Sequence, residues 1–189
     1  MTSETESERL EGTRVGVSLA PEGTEEVEFT EPNQAVSDAG ARVDVLGVET
    51  GEADTVNDDL DPGDTYEVER SLSEVSPDEY DALIVPGGTV DADKLRVDDD
   101  AVELLREHVA ADRPVGVICH GPWTLVEADV VDGRTLTSYP SPRIDVHNAG
   151  GEWVDEEVVT DGGVVSSRNP DDLPAFCETI VEEFAAGAE

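Results

Sequence analysis

Short apolar runs rich in Val, Leu and Ile recur along the chain: "RVGVSLA", "ARVDVLGV", "YDALIVP" and "RPVGVICH". Each has the length of a buried strand, and helical stretches fall between them. That alternation predicts an α/β sheet with helices on both faces. Strands are expected at Arg14 to Ala20, Ala41 to Val48, Asp81 to Val85 and Pro114 to Ile118. Helices are expected from about Thr24, across Asp99 to Ala111, from about Gly121, and from Pro170 to Ala186. In the first of these, Glu25, Glu26 and Glu28 fall in the opening turns, where carboxylates suit the helix dipole, and Pro32 should kink or break it. The stretch "TGEADTVNDDLDPGDTYEVERSL" carries turn signals at Asp61-Pro62-Gly63 and predicts a β-excursion. A segment "LTSYPSPRIDVHNAG" and a hairpin "EEVVTDGGVVSSR" precede the last helix, and no internal repeat is visible. The fold class is therefore α/β, a flavodoxin-like three-layer sandwich with a mostly parallel sheet. It is expected to form one domain over residues 13–189, behind a short acidic tail, residues 1–12, expected to be disordered.

Charge changes this picture more than composition does. The 47 Asp and Glu residues outnumber the 11 Lys and Arg, for a formal net charge of −36. Self-repulsion on that scale opposes compaction in dilute buffer and is screened in molar salt, where the Debye length is about 3 Å. Regular apolar runs argue for a packed core despite the charge, so the chain reads as a folded protein with an acidic, salt-adapted surface. Acidic blocks such as Asp98 to Asp100 are spread along the chain without clustering with His, and no metal site is expected. No Lys/Arg patch exists to neutralise phosphates, which argues against nucleic-acid binding. No apolar run approaches the roughly 20 residues needed to span a bilayer. The N-terminus lacks the features of a secretion signal, and two distant cysteines, Cys119 and Cys177, fit reduced thiols in a cytoplasm.

One corner carries candidate chemistry. In "VGVICHGPW" an apolar strand stops at Cys119, His120, Gly121 and Pro122 and a helix follows, the local order of a nucleophile elbow. Backbone N–H groups and the helix N-terminus there would stabilise a thiolate and depress the thiol pKa. The same segment read alone also fits a buried structural Cys closing a strand. Cys177, between apolar neighbours in the last helix, reads as a core residue. Ligands of open α/β sheets bind at the carboxyl ends of the strands, so the loops after Ala20 and Val85 should join Cys119 in one crevice. The first brings Glu25, Glu26 and Glu28, one of which could move a proton. The second brings Gly87-Gly88, whose bare backbone could offer N–H donors to an oxyanion. Taken singly, these are also ordinary first-turn acids and an ordinary tight turn.

The motifs "EEVEFTEP", "YDALIVPGG", "DKLR", "RPVGVICHGPW", "LTSYPS", "NAGGEWVDEEVV" and "SSRNPDDLPAF" together resemble the PfpI family of intracellular peptidases and deglycases, in the class I glutamine amidotransferase-like superfamily, over about Arg14 to Phe184. The resemblance implies a nucleophilic Cys119 with His120 as its basic partner, Glu28 as the carboxylate near the thiol, and an oxyanion hole from the N–H groups of Gly88 and His120. It places Gly87 and Tyr139 at the pocket. It also implies an acid from a neighbouring subunit, here Asp93, and hence a homo-oligomer, a dimer or trimer of dimers, with shared active sites. No metal or organic cofactor is implied. The first loop lacks the aromatic residue that often precedes the acids. A glutamine amidotransferase would carry a late His-x-Glu pair, whereas His147 is followed by Asn148 and Ala149, so glutamine hydrolysis is not expected.

The function this implies is a cysteine-dependent enzyme acting on reactive carbonyls or their adducts, a protein deglycase or glyoxalase III-like enzyme. One alternative is an intracellular cysteine peptidase. The other is a redox-sensing stress protein or holdase with an oxidisable Cys119.

Overall fold

A computed structural model describes residues 8–187. Strand β1 (Arg14–Leu19) lies between β3 (Arg42–Gly47) and β7 (Ala82–Val85), both parallel to it. Beyond β7 come β8 (Val115–Ile118) and β12 (Val164–Ser167), also parallel, and an antiparallel edge strand, β11 (Val159–Asp161). A two-residue strand, β6 (Arg70–Ser71), closes the other edge, giving the order β11-β12-β8-β7-β1-β3-β6. The central strands β7 and β8 are buried at every position, as apolar runs without alternation require.

Side chains alternating across the sheet feed two cores. On one face Val15, Val17, Ile84 and Ile118 pack with Phe29 of α1 (Glu26–Asp38) and with Phe176, Ile180 and Phe184 of α6 (Leu173–Gly187). On the other, Leu83, Val85, Val115 and Val117 meet Leu104 and Leu105 of α3 (Asp99–Ala110) and Leu125 of α4 (Pro122–Glu127). This is the three-layer, mostly parallel sandwich expected from the sequence.

Several local expectations are corrected. Residues 22–25 form a short strand, β2, paired with β4 (Gly51–Asn57), so α1 starts at Glu26 and not at Thr24. Helix α1 then runs through Pro32 without ending. Its buried residues Glu28, Phe29, Pro32 and Val36 follow the helical period, so the proline ring packs on the core-facing stripe and its burial offsets the lost hydrogen bond. The excursion is the hairpin β4–β5 (Asp61–Val68). Its turn is not at Asp61-Pro62-Gly63, which lie inside β5, but at Asp58 and Asp59, which both adopt left-handed backbone with φ of 52° and 64°. Asp tolerates that region through local hydrogen bonding. Two helices fall where none was expected, α2 (Thr89–Leu95) and α5 (Arg143–Asn148). A two-stranded ribbon pairs β9 (Thr135–Leu136) with β10 (Glu152–Trp153). Residues 1–7 of the expected tail lie outside the described residues. Residues 8–12 form a turn in which Leu10 is fully buried and its N–H donates to Ala39 O, so the ordered chain begins before residue 13. Among the described residues no helix is long and apolar enough to cross a membrane.

Candidate active site

Strand β8 ends at Ile118, and Cys119 takes φ of 62°, a left-handed conformation that costs a non-glycine residue roughly 1–3 kcal/mol. The neighbouring backbone holds it there. Cys119 N–H donates to Ser167 O at 3.0 Å, continuing the pairing of β8 with β12, and Cys119 O accepts from Tyr139 N–H at 2.9 Å. The corner turns the thiol toward a cavity of about 240 Å³ lined by Glu25, Glu28, Asp58, Asp59, Cys119, Tyr139 and Pro170.

Glycine is required beside it. A Cβ on Gly87 would strike Glu28 Oε1 and Cys119 Cβ, and one on Gly88, at φ of 114°, would strike Gly23 O. Without side chains, the "PGG" turn brings its backbone against the thiol. The N–H groups of Gly88 and His120 both donate toward the Cys119 sulfur, the positions at which an oxyanion formed on a bound carbonyl could be met.

His120 follows Cys119 directly, yet its ring folds back so that Nδ1 lies 3.1 Å from the sulfur. Tyr139 stacks on that ring with centroids 4.6 Å apart, and Trp123 approaches it at 5.2 Å. Nε2 faces Ser141 Oγ at 3.1 Å and Thr89 Oγ1 at 3.3 Å. Burial lowers the His120 pKa, which keeps the imidazole neutral at pH 7 and able to accept a proton. Ser141 and Thr89 were not singled out in the sequence, although Ser141 closes the "LTSYPS" motif.

The acids of "EEVE" separate because Glu25 ends β2 while Glu26 and Glu28 fall on different faces of α1. Glu28, on the core-facing stripe of α1, is fully buried, its carboxylate oxygens meeting no N–H or hydroxyl group and having the Cys119 thiol as their neighbour. Burial pushes its pKa well up, and the nearby Glu25 and Asp59 push it further. Glu25 spends its carboxylate on the hairpin turn, accepting the N–H groups of Asp58 at 2.7 Å and Asp59 at 3.1 Å. Glu26 faces the excursion, accepting from Asp64 N–H and the Tyr66 hydroxyl. Glu28 alone of the three acids of "EEVE" hydrogen-bonds with the thiol.

The expected depression of the Cys119 pKa is corrected. Burial first, and then the charge of Glu28, push the thiol well up, outweighing the Gly88 and His120 N–H groups. Helix α4 is only six residues long and begins at Pro122, which contributes no N–H. Cys119 and Glu28 are thus two neighbouring buried acids: the charge of Glu28 pushes the thiol up, whereas the thiol's hydrogen bond to the carboxylate works against the rise at Glu28. Cys177 is half-buried against the α1 side of the core, and burial pushes its thiol up to about 12.

Asp93 lies exposed on α2, outside the cavity, and within the chain its side chain makes no hydrogen bond or ion pair among the described residues. The buried acid of that helix is Asp91, whose Oδ1 accepts Ala20 N–H at 2.8 Å and the Thr24 hydroxyl at 2.6 Å while Oδ2 has no partner. Asp91 thereby ties the loop after β1 to the helix that follows Gly88. Burial raises its pKa from 3.8 to about 7. The folded state therefore retains a proton that the unfolded chain has lost, and stability falls as pH rises between those values. Asp91→Asn is expected to flatten the decline in melting temperature between about pH 4 and 7, as thermal unfolding across a pH series would reveal. An unchanged slope would remove Asp91 as its cause. Among the described residues no three His, Cys, Asp or Glu side chains are grouped to hold a metal ion.

The DJ-1/PfpI family profile matches residues 13–183. The chain is 40% identical over 158 residues to the protein named deglycase PfpI of Pyrococcus furiosus, a match covering 84% of this chain and 92% of that one. It is 37% identical over 158 residues to the protein named putative cysteine protease YraA of Bacillus subtilis, covering 84% and 90%. Among solved structures, Drosophila melanogaster DJ-1beta superposes with a TM-score of 0.82 at 31% identity, covering 92% of this chain and 90% of that one.

Proposed function

This chain belongs to the DJ-1/PfpI family, and from that premise we propose a cysteine-dependent enzyme acting on small reactive carbonyls or their early adducts, of the deglycase or glyoxalase III type. The observation that carries the reading is a thiol on a positive-φ corner, 3.1 Å from a neutral imidazole, opening on a cavity of only about 240 Å³. Drug-sized ligands occupy roughly 300–1,000 Å³, so this cavity suits a short carbonyl better than a peptide.

The raised thiol pKa shapes the mechanism. Cys119 rests as a thiol and is deprotonated as it attacks: its proton passes to His120 Nδ1, the sulfur bonds to the carbonyl carbon, and the carbonyl π pair moves to oxygen. The N–H groups of Gly88 and His120 receive that oxyanion. Glu28, held protonated by its burial, supplies the proton that completes a hemithioacetal. Ser141 and Thr89 hold Nε2 so that Nδ1 faces the sulfur.

The name of the B. subtilis relative supports a second reading, a peptidase using the same thiol on an amide carbonyl. Assays with methylglyoxal and with a fluorogenic peptide, both in molar salt, separate the two: the proposal expects turnover of the first, and hydrolysis of the second alone would overturn it. The redox-sensor reading is less supported, because a thiol raised by burial holds less of the thiolate that peroxide attacks. Two free cysteines fit a cytoplasmic setting.

We further propose a homo-oligomer with shared sites, in which Asp93 of one subunit serves His120 of another. The exposure of Asp93 leaves it available for that role. If Cys119→Ser and Asp93→Ala are each inactive, a mixed two-fold dimer has one site with both defects and one with neither, because pairing across the axis is reciprocal. Activity is expected to return on subunit exchange. A dead mixture, with exchange demonstrated by native mass spectrometry, would leave Asp93 an ordinary surface acid.

A further inference from the structure

We propose that Asp59, at the turn of the β4–β5 hairpin, is the positioning acid of His120 within its own chain. It holds Thr89, whose hydroxyl meets Nε2, and its carboxylate offsets the positive charge formed when His120 takes the thiol proton. The proposal deepens the Cys119–His120 reading above and rests on it.

Three distant segments meet to build this arrangement. The hairpin turn reaches α2 through Asp59 Oδ1, which accepts Thr89 N–H at 3.0 Å. Thr89 opens α2, and its Oγ1 lies 3.3 Å from His120 Nε2. The turn is anchored from the other side by Glu25, whose Oε2 accepts Asp59 N–H at 3.1 Å and whose own N–H donates to Gly87 O at 3.0 Å. Gly87 and Thr89 belong to the same "PGGT" corner, so these bonds close a circuit. Asp59 cannot drift from the ring without breaking one of them.

Charge makes Asp59 more than a clamp. Among the described residues it enters no ion pair, so its carboxylate is not neutralised there. Burial lowers the His120 pKa and the Asp59 charge works against it, while the same charge adds to burial in pushing up Cys119 and Glu28. The other groups around the ring are already engaged. Cys119 stands at Nδ1 and Tyr139 stacks on the ring; beyond Trp123, Arg96 pairs with Glu127 and Asp145 accepts Trp123 Nε1–H. With the thiol proton on Nδ1, the imidazolium carries a hydrogen on each nitrogen, the one on Nε2 directed at the oxygens of Thr89 and Ser141. A nearby carboxylate favours that charged state. The proton His120 gains is the one Cys119 loses, and Asp59 itself takes none.

Asp59→Asn tests the charge alone, because asparagine keeps an oxygen for Thr89 N–H and tolerates the left-handed backbone, φ of 64°, at that position. The first readout does not depend on turnover. Nitrogen-15 NMR follows the three histidines across pH in molar salt. His120 is expected to titrate at lower pH in Asp59→Asn than in wild type, since burial is then unopposed. A variant that merely loosened the site would admit water and move the titration upward, so the sign separates the two causes. Iodoacetamide should likewise alkylate Cys119 at lower pH in Asp59→Asn, because one charge that pushes the thiol up is gone. Turnover of methylglyoxal should nevertheless fall, by about three- to tenfold in kcat with KM little changed, because the base is weaker. Thr89→Val should also lower kcat and Thr89→Ser should restore it, while Asp99→Asn, exposed on α3, should move none of these readouts. A His120 titration that stays or rises in Asp59→Asn, an equal shift in Asp99→Asn, or wild-type kcat in Thr89→Val would overturn the proposal. Subunit mixing separates Asp59 from Asp93. Paired with Cys119→Ser, Asp59→Asn should gain nothing on exchange, because each mixed site keeps one defect; recovered activity would overturn the assignment to its own chain. If His120 titrates as expected while Cys119→Ala turns over like wild type, the deglycase reading fails and the hold of Asp59 on His120 stands.

Discussion

Cys119→Ala is expected to lower turnover of methylglyoxal or its adducts by about 10⁴-fold or more, since loss of a nucleophile removes the covalent route and leaves only binding and the oxyanion donors. The fold should survive. Cys119 is 6% exposed beside a cavity, so deleting its sulfur enlarges a space that already exists, and the corner is held by backbone bonds to Ser167 and Tyr139. Cys177→Ala is the control, because that thiol is remote in sequence and packs against the core. Steady-state kinetics with circular dichroism on both variants would decide the point. Comparable activity in Cys119→Ala and wild type would return Cys119 to the reading of a structural residue.

The second large effect concerns salt. In 10 mM buffer the protein is expected to lose its native far-ultraviolet and near-ultraviolet signals, and to regain them as sodium chloride approaches molar concentration. A folded chain of this length has a radius of gyration of roughly 16 Å, while the Debye length is about 30 Å at 0.01 M and about 3 Å at 1 M. In dilute buffer every carboxylate therefore feels the others across the molecule. The cations cannot neutralise them: Arg168 is shared between Asp155 and Asp172, Arg70 is taken by Glu79, and the single Lys, Lys94, pairs with Glu22 at the surface. A cooperative, unchanged native spectrum in dilute buffer would refute the argument from self-repulsion.

Much of this architecture was legible because strands buried on both faces leave an unmistakable trace. "ALIV" and "VGVI" have no polar residue, and both lie at the sheet centre. The elbow was legible for the related reason that such a strand stops at Cys-His-Gly-Pro. The short helices α2 and α5 were not. They span seven and six residues, less than two full turns, too short for a helical period to separate from the surrounding acids. The turn of the excursion was misplaced because Pro62-Gly63 is the stronger local signal, while the residues that turn the chain, Asp58 and Asp59, are held by Glu25, 33 residues earlier. The site divides along the same line. Residue types and the helical phase of Glu28 are properties of the chain. The direction of the Cys119 pKa shift, the hydroxyl partners of His120 and the clamp made by Glu25 depend on burial and on contacts between distant segments.

The central claim is that the Cys119 sulfur bonds to the carbonyl carbon of the substrate. Carbon-13 NMR of the protein with methylglyoxal carrying carbon-13 at its aldehyde carbon, in molar salt, observes that carbon directly. A hemithioacetal resonance is predicted in wild type and in Cys177→Ala and should be absent from Cys119→Ala. A hemithioacetal signal that persists in Cys119→Ala, or wild-type turnover that continues with no such species and no dependence on Cys119, would contradict the account.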